Sequence, residues 1–364
     1  APRPGALPLF AAAAVGLAAA GIATRVLLAL LRGVGLFRKR LLVVGAGHRA
    51  WDLTWLLRKE GSTPVYDIAL VPASAAEETD RRIAGDTTLH LFPPGTGFLE
   101  AAQAFGAEQI IVAPDERRGL PMAALLACRT AGFPVSEYLR ALEREIGRID
   151  IKRIELGWLL YSDGFKDSAL DHALKRALDV AVSLGLLVVT APFLLVAALA
   201  VKLQDGGPAI YRQARVTQGG RVFQIMKLRT MRVDAEKQGA TWAAKGDPRV
   251  TALGRFLRQT RIDELPQLIN VLRGDMSIVG PRPERPEFTA TLAEQLPLYD
   301  ERHRMRAGLT GWAQVNYPYG ASLDDARSKL SYDLYYVKNF TVLFDLLILM
   351  QTLRVVFWPG GGAR

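Results

Sequence analysis

The sequence predicts an α/β protein in three successive parts: an N-terminal transmembrane helix, a Rossmann-like parallel-sheet domain, and a mainly α domain that opens with a membrane-embedded, re-entrant helix. Three observations carry this. Residues 6 to 24 are uncharged and mostly apolar, "LLVVGAGHRAWDLTWLL" couples a strand-like run to a glycine turn and a helix, and residues 180 to 201 form a second uncharged run around Pro192.

The first run has 19 residues, enough to cross a bilayer. Arg25, Arg32, Arg38, Lys39 and Arg40 follow it and place its C-terminal end on the cytoplasmic side. A signal peptide is the competing reading, but its basic residues belong before the apolar core. The chain begins with Ala, which reads either as a fragment that lacks further N-terminal segments or as a processed product. Residues 1–38 are read as this helix and its basic flank.

Residues 39–150 alternate strand-like and helical stretches. The runs "DIALV", "TLHLF", "QIIVAP" and "FPVSEYL" follow the first strand, as crossover helices and a parallel sheet require. Gly45, Gly47 and Ala50 form a G-x-G-x-x-A nucleotide turn. "VPAS" stands where an acidic residue would hold a ribose hydroxyl, so two readings stay open: a structural or regulatory domain, or a working nucleotide site. Residues 151–168 read as a linker with some strand content.

The second apolar run, Val180 to Val201, has 22 uncharged residues. Pro192 removes a backbone hydrogen bond just past its middle. Lys175 and Arg176 precede it, and Lys202, Arg212 and Arg215 follow. A span would put one basic cluster outside, whereas a broken helix over 175–203 that enters and leaves on one face keeps both inside. Ser183 or Thr190 would then partner the freed backbone. A plain span is the alternative.

Composition narrows the chemistry. The chain has 364 residues, half of them hydrophobic, a net charge of +10, and a single cysteine, Cys128. No intrachain disulfide can form, and a cysteine metal site is not expected. The positive charge suits anionic lipid or phosphorylated substrates, and no nucleic-acid-binding motif accompanies it. Between 206 and 285 stand 15 Lys or Arg against 7 Asp or Glu, set beside Gly, Pro and short apolar stretches. Arginines in such a pocket grip phosphate, and acids among them can share Mg²⁺ with substrate oxygens. The constellation fits phosphoryl transfer, with a carboxylate as nucleophile. "RQTRIDELPQL" offers Asp263 and Glu264, read either as the capped start of a helix ending at Gly274 or as the chemical site. The readings are compatible, since Asp263 at a helix start can leave helical geometry and converge with Glu264.

"YRQARVTQGGRVFQIMKLRTM", "RIDELPQLINVLRGDMSIVGPRP" and "AGLTGWAQV" resemble the signature blocks of bacterial polyprenyl-phosphate sugar-1-phosphate transferases. The resemblance runs from about Ala169 to the C-terminus, and makes 169–364 the catalytic domain. Leu228 departs from the frequent aromatic. It implies transfer of sugar-1-phosphate from a UDP-sugar to undecaprenyl phosphate, with release of UMP, as the first membrane step of exopolysaccharide, capsule or O-antigen synthesis. It implies Asp263 as the nucleophile that forms a phosphosugar-aspartate, Glu264 as Mg²⁺ ligand, and Lys227, Arg229, Arg258 and Arg282 on phosphates. Arg215 and Asp275 match further motif positions of the substrate site. Pro192 matches the proline of a re-entrant membrane hairpin, with the catalytic domain on the cytoplasmic face of the inner membrane. Larger members carry a CoA-binding-like Rossmann domain ahead of the catalytic one, which in this chain could support a homo-oligomer.

"DLYYVKNFTVLFDLLILMQTLRVVFWPGG" closes the chain with apolar residues at helical spacing, interrupted by Lys338, Asp345 and Arg354. A span would bury Asp345 in lipid, so it reads as an amphipathic helix at the membrane surface, with Phe357 and Trp358 interfacial, or as a helix packed in the core. Other functions are weaker. A membrane-anchored nucleotide-sugar-modifying enzyme needs a Tyr-x-x-x-Lys pair, which 41–150 lacks, and a non-catalytic scaffold would not need both Asp263 and Glu264.

Overall fold

A computed structural model describes residues 38–60, 66–116, 118–151, 164–165, 168–233, 235, 247–318, 320 and 322–357, with Thr24, Leu27, Leu30 and Leu31 before them. The run from Ala6 lies outside these residues except for Thr24, as does Trp358. The chain divides into two compact units, Ala1–Gly147 and Arg148–Arg364.

The first unit is a five-stranded sheet in the order β3-β2-β1-β4-β5, and every neighbouring pair is parallel. Its elements are β1 (Lys39–Val44), α1 (His48–Glu60), β2 (Tyr66–Val71), α2 (Arg81–Ala84), β3 (His90–Leu91), α3 (Phe98–Phe105), β4 (Gln109–Val112), α4 (Met122–Thr130), β5 (Val135–Glu137) and α5 (Tyr138–Ile146). Every expected strand is present. Leu41 to Val44 and Ile110 to Ile111 are fully buried, as central strands covered on both faces require.

The second unit opens with α6 (Ala169–Asp205), the one helix among the described residues that is long and apolar enough to cross a membrane. At 1.5 Å per residue it is about 55 Å long if straight, well beyond a bilayer core of about 30 Å. Its two ends pack on the same unit. Near its start Lys175 donates to Asp345 Oδ2 at 2.6 Å and to Val279 O at 2.9 Å, and Asp179 accepts from Ser277 Oγ and Ile278 N. Near its end Ala197 and Val201 pack with Leu228 and Leu257. Between these anchors Val188, Val189, Phe193, Leu195 and Val196 are exposed. The expected break is not a division into two helices, because Pro192 lies inside one helical element. Neither expected hydroxyl partners the Val188 carbonyl that Pro192 leaves without its helical donor: Thr190 Oγ1 donates to Leu186 O at 2.6 Å, and the Ser183 hydroxyl is buried without a partner among the described residues.

An antiparallel hairpin follows, β6 (Ile210–Val216) with β7 (Val222–Leu228), and then α7 (Ala252–Gln259), α8 (Gln267–Arg273), β8 (Ser277–Val279), α9 (Pro286–Gln295), β9 (Gly308–Thr310), α10 (Trp312–Asn316), α11 (Leu323–Lys338) and α12 (Val342–Phe357). Strands β8 and β9 pair in parallel. The core gathers Phe223, Ile225, Leu268, Met276, Ile278, Tyr336 and Ile348. Helix α12 has two faces. Asp345 is buried against Lys175 and Tyr336, while Leu343, Leu346, Leu347, Met350 and Leu353 are exposed. The acid is thus buried in protein, and one apolar stripe is left outward. Ile149 and Ile151 belong to this unit, packing with Leu296, Tyr299, Leu330 and Leu334.

Candidate active site

The site is built at the junction of α7 and α8. Helix α7 is capped by Thr251, whose Oγ1 accepts from Gly254 N at 2.9 Å. A Cβ at Gly254 would stand 2.0 Å from Thr230 O, so only glycine lets α7 abut the end of the β7 segment. One turn later Arg258 Nε donates to Thr230 Oγ1 at 2.9 Å. Arg261 then takes a left-handed backbone, φ 59, which is uncommon for a residue with a side chain. It introduces a 3₁₀ turn, Ile262–Glu264, that carries both acids. Asp263 is therefore not the cap of α8; Pro266 holds that place, and Gly274 ends the helix at φ 85 as expected.

Asp263 and Glu264 line a cavity of about 1670 Å³ together with Lys227, Arg229, Arg258, Arg261, Arg282 and Arg215. Their environments differ. Glu264 Oε1 lies 3.0 Å from Lys227 Nζ and 3.7 Å from Arg282, and Oε2 lies 3.7 Å from Arg261. Burial works to raise its pKa, but Lys227, Arg282 and Arg261 outweigh this and hold it at about 2. Asp263 is 8% exposed, and its Oδ1 is buried without a hydrogen-bond partner among the described residues. Burial, and then the charge of Glu264, push its pKa up to about 6. At neutral pH it is largely an anion and poorly solvated, with Oδ1 buried behind the cavity lining. A poorly solvated carboxylate with a raised pKa is more basic than one at the surface.

The remaining expected residues divide. Arg282 and Lys227 stand over Glu264, and Arg258 is among the cations that lower Asp263. Arg229 also lines the cavity, but its guanidinium is committed to Asp205, with Nη1 to Oδ2 at 2.8 Å, and to Val201 O. It ties the end of α6 to β7. Arg215 donates to Pro283 O at 3.1 Å and to Gln213 Oε1 at 2.7 Å. Asp275 does not line the cavity. Its backbone carbonyl accepts from Thr217 Oγ1, and its carboxylate lies 3.2 Å from Arg221. Three residues went unnoticed in the sequence: Arg261, and the buried pair of Arg302 and Asp333, 2.7 Å apart. Arg261 lies in the motif itself and could have been found by its proximity to the acids. The pair spans 31 positions and leaves no local signal.

Among the described residues no cluster of three or more His, Cys, Asp or Glu could hold a metal. Mg²⁺ asks for less, one or two carboxylates with substrate and water oxygens completing its shell. Glu264 is the carboxylate available for it, and a metal there would share that carboxylate with Lys227, 3.0 Å from Oε1.

The glycine turn of the first unit is closed. Gly45 adopts φ +125, and its N–H donates to Val71 O at 2.8 Å. Where a bound phosphate would meet the start of α1, the carboxylate of Asp115 accepts from His48 N and Arg49 N, each at 2.8 Å. A Cβ at Gly47 would stand 2.2 Å from Asp115 Oδ2. The protein's own anion fills the phosphate position, which favours the structural reading of Gly45 and Gly47.

A cation-lined cavity with one raised and one depressed carboxylate, beside an apolar helix, suits an enzyme acting on phosphate-bearing molecules. The chain belongs to the bacterial sugar transferase family, whose pattern matches residues 170–359. It is 40% identical over 243 residues to the UDP-N-acetylgalactosamine-undecaprenyl-phosphate N-acetylgalactosaminephosphotransferase of Aeromonas hydrophila, covering 66% of this chain and 56% of that relative. It is 38% identical over 255 residues to the UDP-glucose:undecaprenyl-phosphate glucose-1-phosphate transferase of Caulobacter vibrioides, covering 65% of this chain and 96% of the relative. It is 43% identical over 199 residues to the exopolysaccharide production protein PSS of Rhizobium leguminosarum bv. phaseoli, covering 53% and 100%. The chain thus spans just over half of the Aeromonas protein.

Proposed function

We propose that this protein transfers sugar-1-phosphate from a UDP-sugar to undecaprenyl phosphate, as the first membrane step of exopolysaccharide, capsule or O-antigen assembly. The observation that carries this is Asp263, a poorly solvated carboxylate on the lining of a cavity ringed by Lys227, Arg258, Arg261 and Arg282. An Asp263 oxygen attacks the sugar-side phosphorus of the donor. The bond from that phosphorus to the oxygen bridging the two phosphates breaks, and UMP leaves. A phosphate oxygen of the lipid then attacks the same phosphorus, and the Asp263 carboxylate is released. Arg282 and Lys227 hold the diphosphate and offset the charge that gathers on it. Glu264 would hold Mg²⁺, which when bound supplies charge neutralisation to the diphosphate.

The membrane part follows from α6. Its exposed apolar stretch would be costly in water, at about 25 cal/mol per Å². Both of its ends pack on the catalytic unit, which supports a re-entrant course that keeps Lys175 and Lys202 on the cytoplasmic face. The exposed stripe of α12 then rests at the same surface. Val182 and Leu186 of α6 line the cavity together with Asp263, and so give an isoprenoid tail an apolar route to the nucleophile.

The test is UMP release by the purified protein with undecaprenyl phosphate, Mg²⁺ and a panel of UDP-sugars. Release that requires the lipid for multiple turnovers is expected with one or more donors. No release from any donor, by protein that is folded and membrane-bound, would refute the assignment.

A further inference from the structure

Arg282 reaches Glu264 from a segment without regular structure. Residues 281–284 read Pro-Arg-Pro-Glu and form neither helix nor strand. Two prolines stiffen the segment but remove two donors, so its position depends on what binds its carbonyls. All four are taken. Pro281 O accepts from Gly308 N at 2.8 Å, and Glu284 O accepts from Val216 N at 2.9 Å. Between them Arg282 O accepts from Arg302 Nη2 at 2.9 Å, and Pro283 O accepts from Arg215 Nη1 at 3.1 Å.

The Arg302 guanidinium is also shared with Asp333 Oδ2 at 2.7 Å and Tyr299 Oη at 2.7 Å. Arg302 is 5% exposed and Asp333 2% exposed. As a mere core pair this is a poor choice, since apolar residues of equal volume often stabilise as well or better. What an apolar pair cannot supply is one planar guanidinium whose Nη2 binds both a carboxylate on α11 and a backbone carbonyl of the Arg282 segment while its Nη1 holds Tyr299 Oη.

We propose that Arg302 is a positioning residue for the diphosphate grip, and that it acts by fixing the backbone from which Arg282 projects. This rests on the transferase reading above. Asp333 anchors Arg302, Arg302 holds the carbonyl of Arg282, and the Arg282 guanidinium stands 3.7 Å from Glu264.

The test is a double-mutant cycle read by calorimetric binding of UDP to the full chain in nanodiscs. Arg302→Lys keeps a charge beside Asp333 but loses the planar guanidinium. It should weaken UDP binding by about five- to tenfold. Added to Arg282→Ala it should cause no further loss, because the grip it supports is already gone. Losses that multiply would overturn the proposal, as would unchanged UDP affinity in a folded Arg302→Lys protein. The cycle is repeated with Arg302→Met/Asp333→Leu, which leaves no unpaired buried charge and so guards against unfolding. It should show the same lack of additivity. UMP release by the unaltered protein reports on the transferase reading separately: UDP binding with a non-additive cycle but no UMP release would refute the reaction and leave the positioning role standing.

Discussion

Asp263 and Glu264 are adjacent in the chain, yet their carboxyls lie on opposite sides of the ordinary range, at about 6 and about 2. Lys227, Arg282 and Arg261 surround Glu264, and burial dominates at Asp263. The split fits the proposed roles: Glu264 stays charged as an anchor, while Asp263 is the more basic acid. In the free enzyme kcat/KM should fall about tenfold per pH unit below roughly 6, because only the ionised Asp263 attacks. An acid limb centred near 4 would indicate a nucleophile without this burial.

The same shift predicts a stability effect. Asp263 titrates near 3.8 in the unfolded chain and near 6 in the folded one. A raised carboxyl favours the fold fully below the unfolded value, and that contribution is lost as pH rises through the folded value. Without ligand or metal, Asp263→Asn should therefore be the more stable form above pH 6, by up to about 3 kcal/mol, and the difference should vanish below about pH 4. Thermal melting across this range in EDTA checks it. Equal melting at pH 8 would mean that the acid is not strained.

Arg229 gives a contrasting case. Its guanidinium is spent on Asp205, so Arg229→Lys and Asp205→Asn should lower the melting temperature while leaving KM for the UDP-sugar within about twofold. A KM that rises more than tenfold at unchanged stability would return Arg229 to the phosphate site.

In the first unit, Asp115 satisfies two amides at the start of α1. Asp115→Ala should destabilise that unit by about 1 kcal/mol, as loss of a helix cap does, and leave transfer unchanged. Limited proteolysis and UMP release measure the two effects. Titration of NAD, UDP or coenzyme A against a variant with the catalytic cavity blocked by Asp263→Arg should show no binding to this unit. Saturable binding that disappears in a Gly47→Val protein would restore the nucleotide reading.

What the sequence disclosed follows the range of the interactions. The five strands were legible because each lies in a short, mostly apolar stretch bounded by its own turn, and three of them, β1, β2 and β4, are largely buried. Asp263, Glu264, Lys227 and Arg282 were legible because motif blocks carry them. The partner of Arg229 stands 24 positions away, that of Arg302 31, and Asp115 lies 67 residues from His48. Such pairings are set by packing and leave no periodic trace. Arg261 was missed for a different reason: a left-handed turn is usually announced by glycine or asparagine, and here an arginine adopts it.

The most direct test of Asp263 as the nucleophile is intact-mass analysis after the protein meets a turned-over UDP-sugar and Mg²⁺ without the lipid acceptor. One sugar-phosphate adduct per chain is predicted, formed with one equivalent of UMP, mapped to Asp263, absent in Asp263→Asn and discharged by undecaprenyl phosphate. UMP release that occurs only when the lipid is present, with no adduct at any time, would show direct transfer and contradict the account.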